Sequence, residues 1–107
     1  MDIPMHVAVA DGDTVELSAI PQANQAAFLH LGFTASSPNS LKRKVDDDQQ
    51  KAALFGQLRD LGVCFARGRE WSPAEVFEWL RDQKLLQGSF TALAWRRAGE
   101  WFVEPSQ

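Results

Sequence analysis

An unbroken apolar run at residues 63–66 stands directly before the strongest helix-start signal in the chain, and these two features constrain the fold most. The run, Val-Cys-Phe-Ala, is typical of a strand buried on both faces. Ser72 is the predicted N-cap of the next helix, because Pro73 suits the first helical position and Glu75 completes a capping box. A further strand pattern begins at Ser89. The segment therefore predicts a strand, helix and strand crossover that sets two strands of one sheet parallel.

The N-terminal segment shows the period-two alternation of a β-hairpin. A three-residue loop at residues 11–13 pairs Val9 with Val15. The same register sets Val7 opposite Leu17. These four apolar side chains then share one face of the hairpin.

A second hairpin is predicted at the C-terminus, where a three-residue loop at residues 97–99 sets Trp95 opposite Trp101. Leu93 and Val103 then lie on the same face as the two tryptophans. Because the opposite face is also apolar, two explanations are open. Helices cover both sides of the sheet, or the tryptophan face is left open for a partner. Trp95, Trp101, Leu93 and Val103 are the candidate interaction surface.

Two further helices are predicted between the hairpins. One covers residues 22–31, and the other starts at an Asp46 N-cap and stops at Gly62. Residues 34–45, which begin with a run rich in Ser, Pro and Asn, are predicted to form a flexible loop. The chain is thus predicted to be one α+β domain of residues 1–107. Its predicted element order is β-β-α-α-β-α-β-β, with a mixed, mostly antiparallel sheet.

Composition fits a single folded domain of the cytoplasm. The 107 residues are 45% hydrophobic and 23% charged, close to the averages for globular proteins. The net charge of −3 argues against a protein that coats nucleic acid or an anionic membrane. No apolar run has membrane-spanning length, and the first residues do not resemble a signal peptide. Cys64 is the single cysteine, which favours a reducing compartment.

Groups that perform catalysis are scarce. His6 and His30 are the only histidines, and Cys64 lies in an apolar strand where a thiol is usually inert packing. The three aspartates at 46–48 are interpreted as a helix start instead of a metal site. The sequence therefore predicts no catalytic residue, no metal site and no cofactor, and it favours a role other than that of an enzyme.

One segment predicts a ligand site. Arg67, Gly68 and Arg69 lie between the buried strand and the helix that begins at Ser72. In a crossover this strand end and helix start form a crevice where anions bind, and two arginines complement a carboxylate or phosphate. The opposing interpretation is that neighbouring glutamates neutralise both arginines.

Three hypotheses for function follow. The first is a non-catalytic protein-interaction or regulatory domain, whose ligand is a partner protein or a second copy of the chain. The second is a protein that binds a small anion or a nucleotide-like ligand in the Arg67 and Arg69 crevice. The third is a weak nucleic-acid-binding module, supported by the basic residues 42–44. Glu75 and Glu78 on the Ser72 helix oppose the third, so nucleic acid is not an expected partner.

Overall fold

A computed structural model describes residues 3–68, 70–95 and 100–106. This part of the chain forms an α+β domain of three helices and seven strands, which confirms the predicted class. In chain order the elements are β1 (His6–Val9), β2 (Thr14–Ser18), α1 (Gln22–Leu29), β3 (Thr34–Ser37), β4 (Ser40–Lys44), α2 (Asp48–Asp60), β5 (Cys64–Arg67), α3 (Pro73–Asp82), β6 (Phe90–Trp95) and β7 (Trp101–Ser106).

All seven strands belong to one mixed sheet with the order β3-β4-β2-β1-β5-β6-β7. Strands β1, β5 and β6 run parallel to one another. The remaining neighbours are antiparallel, so the sheet is mostly antiparallel, as predicted. The crossover from β5 through α3 to β6 is confirmed as a parallel connection. It places the start of α3 beside the carboxyl ends of the parallel strands.

Residues 34–45 are not the loop that their composition predicts, because most of them form the hairpin β3–β4. Leu41 is fully buried and Val45 nearly so, while every residue of β3 is exposed. A polar strand at the edge of a sheet carries no apolar alternation, and for that reason it resembles a loop in sequence. The observed order is therefore β-β-α-β-β-α-β-α-β-β, with two more strands than predicted.

The register of the N-terminal hairpin is partly as predicted. Val7 lies opposite Leu17, but Val9 lies opposite Glu16 and not Val15. The cause is a β-bulge between Val7 and Val9, which inserts one residue into β1 and reverses the faces beyond it. Val9 is consequently exposed, and Ala10 enters the core.

The C-terminal hairpin has the predicted register, with Trp95 opposite Trp101 and Leu93 opposite Val103. Its predicted turn at residues 97–99 lies outside the described residues. The four side chains of the candidate interaction surface therefore lie on one face of the sheet, as alternation along the strands requires.

The described helices pack on one face of this sheet. Most of their buried residues belong to a single apolar cluster that includes Phe65 and its strand neighbour Ala92. Cys64 and Leu93 are also buried, but they lie outside that cluster because they face the opposite way. We call this opposite side the helix-free face, a description that covers residues 3–68, 70–95 and 100–106.

Helix α2 starts with a capping box one residue later than predicted. The Asp47 side chain accepts a hydrogen bond from the Gln50 backbone N–H at 2.8 Å. The Gln50 side chain in turn accepts from the Asp46 N–H at 2.8 Å. One N–H that the helix leaves unpaired, that of Gln50, and the N–H of the residue before the N-cap are thus satisfied.

Each helix is followed by a residue in the left-handed backbone region, where glycine is favoured because it lacks a Cβ. After α1 and α2 these residues are Gly32 and Gly62, but after α3 the residue is Lys84, with φ of 62°. The Lys84 N–H donates to the Arg81 carbonyl at 2.9 Å, and the Leu85 N–H donates to the carbonyl of Leu80 at 3.0 Å. Lys84 thus occupies the position of a glycine in this type of helix end.

We expect Lys84→Gly to raise the free energy of unfolding by about 0.5–1 kcal/mol, because it removes the left-handed strain. The lysine is exposed, so the loss of its side chain removes little packing. Urea denaturation followed by circular dichroism measures the change. Lys84→Ala is the control, since it removes the same charge but keeps a Cβ. Equal stabilisation by the two variants would contradict the explanation.

Candidate functional site

The carboxyl ends of β1, β5 and β6 meet at one edge of the sheet, where α3 also begins. A pocket of about 480 Å³ lies at this edge. The strands β1 and β5 are neighbours, and the chain leaves them in opposite directions along the sheet. After β1 it continues to β2 on one side, and after β5 it continues through α3 to β6 on the other side. In sheets with helical crossovers, ligands bind at such a point. We call this pocket the strand-end pocket.

The strand-end pocket brings together most of the predicted anion site. Arg67, Gly68 and Ser72 all line it, whereas Arg69 lies outside the described residues. The guanidinium of Arg67 is already paired, with Nη1 at 3.1 Å from Glu78 Oε1 and Nε at 3.8 Å from Glu104 Oε1. Of these two atoms only Nη1 forms a hydrogen bond, and the buried Nε has no hydrogen-bond partner among the described residues. The two ion pairs are in line with the interpretation that opposed anion binding.

The start of α3 is also occupied by a protein carboxylate. Ser72 is the N-cap as predicted, and its hydroxyl donates to Glu75 Oε1 at 3.3 Å. Glu75 Oε2 accepts from the Trp71 N–H at 3.4 Å. A negative charge thus already lies at the helix N-terminus, where an external anion would otherwise be favoured. Anion binding remains a prediction. Two features expected to attract an anion, Arg67 and the N-terminus of α3, each already have a carboxylate of the protein beside them.

Trp71 lies largely in solvent at the start of α3. It is 53% exposed, and its indole meets that of Trp79 edge to face at 6.4 Å. Its backbone has φ of 57°, which is rare for a bulky side chain. No local sequence signal predicts this conformation.

A buried lysine fixes the loop that forms one wall of the strand-end pocket. Lys51 of α2 donates through Nζ to the carbonyl of Ala10 at 2.8 Å and to the carbonyl of Gly12 at 2.7 Å. Burial lowers the pKa of Lys51, and the nearby carboxylates of Asp48, Asp11 and Asp13 act in the opposite direction. The loop carries Asp11, which lines the pocket.

The candidate interaction surface lies next to the strand-end pocket, and Trp95 belongs to both. Trp95 and Val103 are 51% and 46% exposed, and Trp101 is half-buried. Leu93 is fully buried, so the solvent-accessible part of the candidate interaction surface consists of the other three side chains. Val9, which the bulge turns outward, is exposed beside the same pocket.

His6 and Cys64 are buried neighbours on the helix-free face. Burial lowers the pKa of His6, although the bond between its Nδ1 and the Pro4 carbonyl at 2.9 Å acts in the opposite direction. Burial also raises the pKa of the neighbouring Cys64 thiol, which therefore stays protonated at neutral pH. These side chains are explained by packing.

Within the described part of the chain, no group of three or more His, Cys, Asp or Glu side chains is placed to hold a metal ion. Residues 3–68, 70–95 and 100–106 also include no helix with the length and apolar character needed to cross a membrane.

Comparisons with protein-family models, with curated proteins and with solved structures found no match to this chain.

Proposed function

We propose that this chain is a non-catalytic interaction or regulatory domain that binds a partner protein through its helix-free face. The observation that carries the proposal is the exposure of Trp95 and Val103, each with about half of its surface in solvent. Both lie on the sheet face that none of the described helices covers. Half-buried Trp101 lies opposite Trp95 in the neighbouring strand.

The exposed side chains Trp95, Trp101 and Val103 are clustered on one face of β6 and β7. A single exposed apolar residue is normal on any protein, but a contiguous aromatic group on one face is typical of a docking surface. Burial of apolar area contributes roughly 25 cal/mol per Å², and tryptophan often dominates the affinity of an interface. Leu93 and Ala92 hold the strand beneath these rings in a fixed position, because both are fully buried.

The alternative functions have less support from the same geometry. An anion in the strand-end pocket would find Arg67 paired with Glu78 and Glu104. A nucleic acid there would bring phosphates close to Asp11 and Glu70, which also line the pocket. A protein surface is the ligand that the exposed rings favour.

The proposal predicts position-specific crosslinking. A photoreactive amino acid at position 103, introduced in the cell that makes the protein, is expected to give a discrete covalent adduct with one partner. Trp95→Asp in the same chain should lower the yield of the adduct by about tenfold, because it places a charge at the centre of the contact. Denaturing electrophoresis and mass spectrometry measure the yield and identify the adduct.

Position 57, an exposed site on the outer surface of α2, is the matched control and should give no such adduct. The same adducts from both positions, or none from position 103, would refute the proposed surface. An adduct at twice the chain mass of 11.9 kDa would identify the partner as a second copy. Light scattering of the purified protein over a range of concentrations checks that assignment.

A further inference from the structure

Three surface depressions meet at the indole of Trp71. The first is the strand-end pocket, which also contains Glu70. The second, of about 420 Å³, lies along α3 and is lined by the indoles of Trp71 and Trp79 together with acidic side chains only. The third, of about 270 Å³, lies between the same two rings and Asp11. We call this region the Trp71 surface.

The described side chains that line the Trp71 surface carry a net negative charge. Asp11, Glu70 and Asp82 are exposed, and none of them forms a salt bridge with another described residue. The described cations that line it are engaged elsewhere. Arg67 is paired with two glutamates, and Lys51 donates to two backbone carbonyls. The described carboxylates therefore face the depressions with little compensation.

We propose that the Trp71 surface receives an arginine or lysine side chain from a basic segment of the partner protein. This inference rests on the proposed interaction function and specifies the chemistry of the partner. The face of an indole ring attracts a cation, and the apolar stem of arginine or lysine packs against the ring. Trp71 and Trp79, at an interplanar angle of 76°, form two walls of the site.

Other occupants fit the Trp71 surface less well. A purely apolar side chain would take Glu70 and Asp82 out of water without supplying a partner charge. An anion would meet the same carboxylates, and Glu75 adds a negative charge at the start of α3, where it accepts from the Trp71 N–H and the Ser72 hydroxyl. A cation satisfies the carboxylates and the rings together, so charge complementarity selects it.

The test measures binding of a short acetylated and amidated peptide with two arginines separated by glycine, using isothermal titration calorimetry at low salt. Trp71→Ala is expected to weaken binding by about tenfold. Glu70→Gln and Asp82→Asn are each expected to weaken it by about threefold. Trp71→Gly is a second ring deletion that suits the left-handed backbone, so a loss of binding can be separated from a loss of folding.

Asp60→Asn is the matched control, because it makes the same change of net charge at an exposed site at the end of α2. It should leave the affinity unchanged within about twofold. Equal weakening by Asp60→Asn and Glu70→Gln would overturn the proposal, since it would indicate attraction by net charge alone. Unchanged binding in both Trp71 variants would overturn it as well.

Two further measurements identify the source of any failure. If inorganic phosphate shifts the backbone amide NMR signals around Ser72 and the arginine peptide does not, the cation site is overturned in favour of the anion site. If the position-103 adduct persists unchanged in Trp71→Ala, this inference fails while the interaction function stands. Loss of adduct and of peptide binding together in Trp71→Ala supports both.

Discussion

Replacing Phe77 by alanine is expected to lower the free energy of unfolding by about 3–5 kcal/mol, the largest effect of any substitution considered. Phe77 is fully buried in α3, and its ring centre lies 4.3 Å from that of Phe90 and 4.9 Å from that of Phe65. The guanidinium of Arg81 lies 5.8 Å from the same ring. Alanine removes the ring from the centre of these contacts and leaves a cavity.

Urea denaturation followed by far-UV circular dichroism, at a temperature low enough to keep the variant folded, measures this loss. Phe77→Leu is the control, because it keeps most of the volume and should lose only about 1–1.5 kcal/mol. A small domain has a total stability of about 5–15 kcal/mol, so the alanine variant is expected to lose a large part of it. A loss below about 1.5 kcal/mol for alanine would show that the aromatic cluster is not the centre of the core.

The features that the sequence predicts correctly are those set by local chemistry. Ser72 and Pro73 place the start of α3 because N-cap and first-turn preferences act within a few residues. The pairing of Trp95 with Trp101 follows because the period of two along both strands admits one register for a three-residue turn. Both are short-range effects that the residues themselves encode.

The features that the sequence does not predict depend on distant parts of the chain. Residues 34–37 form an edge strand because β4 pairs with β2, and no pattern within the segment indicates this. The β-bulge at Ala8 turns Val9 outward and allows Ala10 to enter the core.

The same reason explains why only part of the candidate site was predicted. Arg67 and Ser72 are adjacent to the strand end and helix start, so their place in the pocket follows from the crossover. The ion pair of Arg67 with Glu104, a residue far along the chain, does not. Trp71 has a left-handed backbone, which its residue type disfavours, so the local sequence does not predict it.

Replacing Lys51 by methionine is expected to lower the free energy of unfolding by about 2–3 kcal/mol. The change removes two hydrogen bonds from a charged donor, and the carbonyls of Ala10 and Gly12 lose their partner in a largely buried position. The loop that carries Asp11 then loosens, so binding of the arginine peptide should weaken in parallel. Urea denaturation and calorimetry measure the two effects.

Lys44→Met is the matched control, because Lys44 contacts the same loop through a salt bridge to Asp13 at 3.7 Å between two exposed side chains. Exposed pairs contribute about 0–1 kcal/mol, so the control should be close to the wild type. Equal losses in the two variants would contradict a special role for the buried amine.

The pH dependence of the stability that Lys51 contributes distinguishes the effect of its charge from the effect of its hydrogen bonds. Burial holds the pKa of Lys51 in the folded protein below its ordinary value of 10.5. At pH values between the lowered pKa of the folded protein and the ordinary pKa of the unfolded chain, the unfolded chain binds more protons than the folded one. The free energy of unfolding therefore rises with pH in that window. Lys51→Met lacks this titration. The difference in free energy of unfolding between wild type and variant should therefore widen as pH rises from neutral into that window. A difference that narrows would show that the folded loop prefers the charged amine.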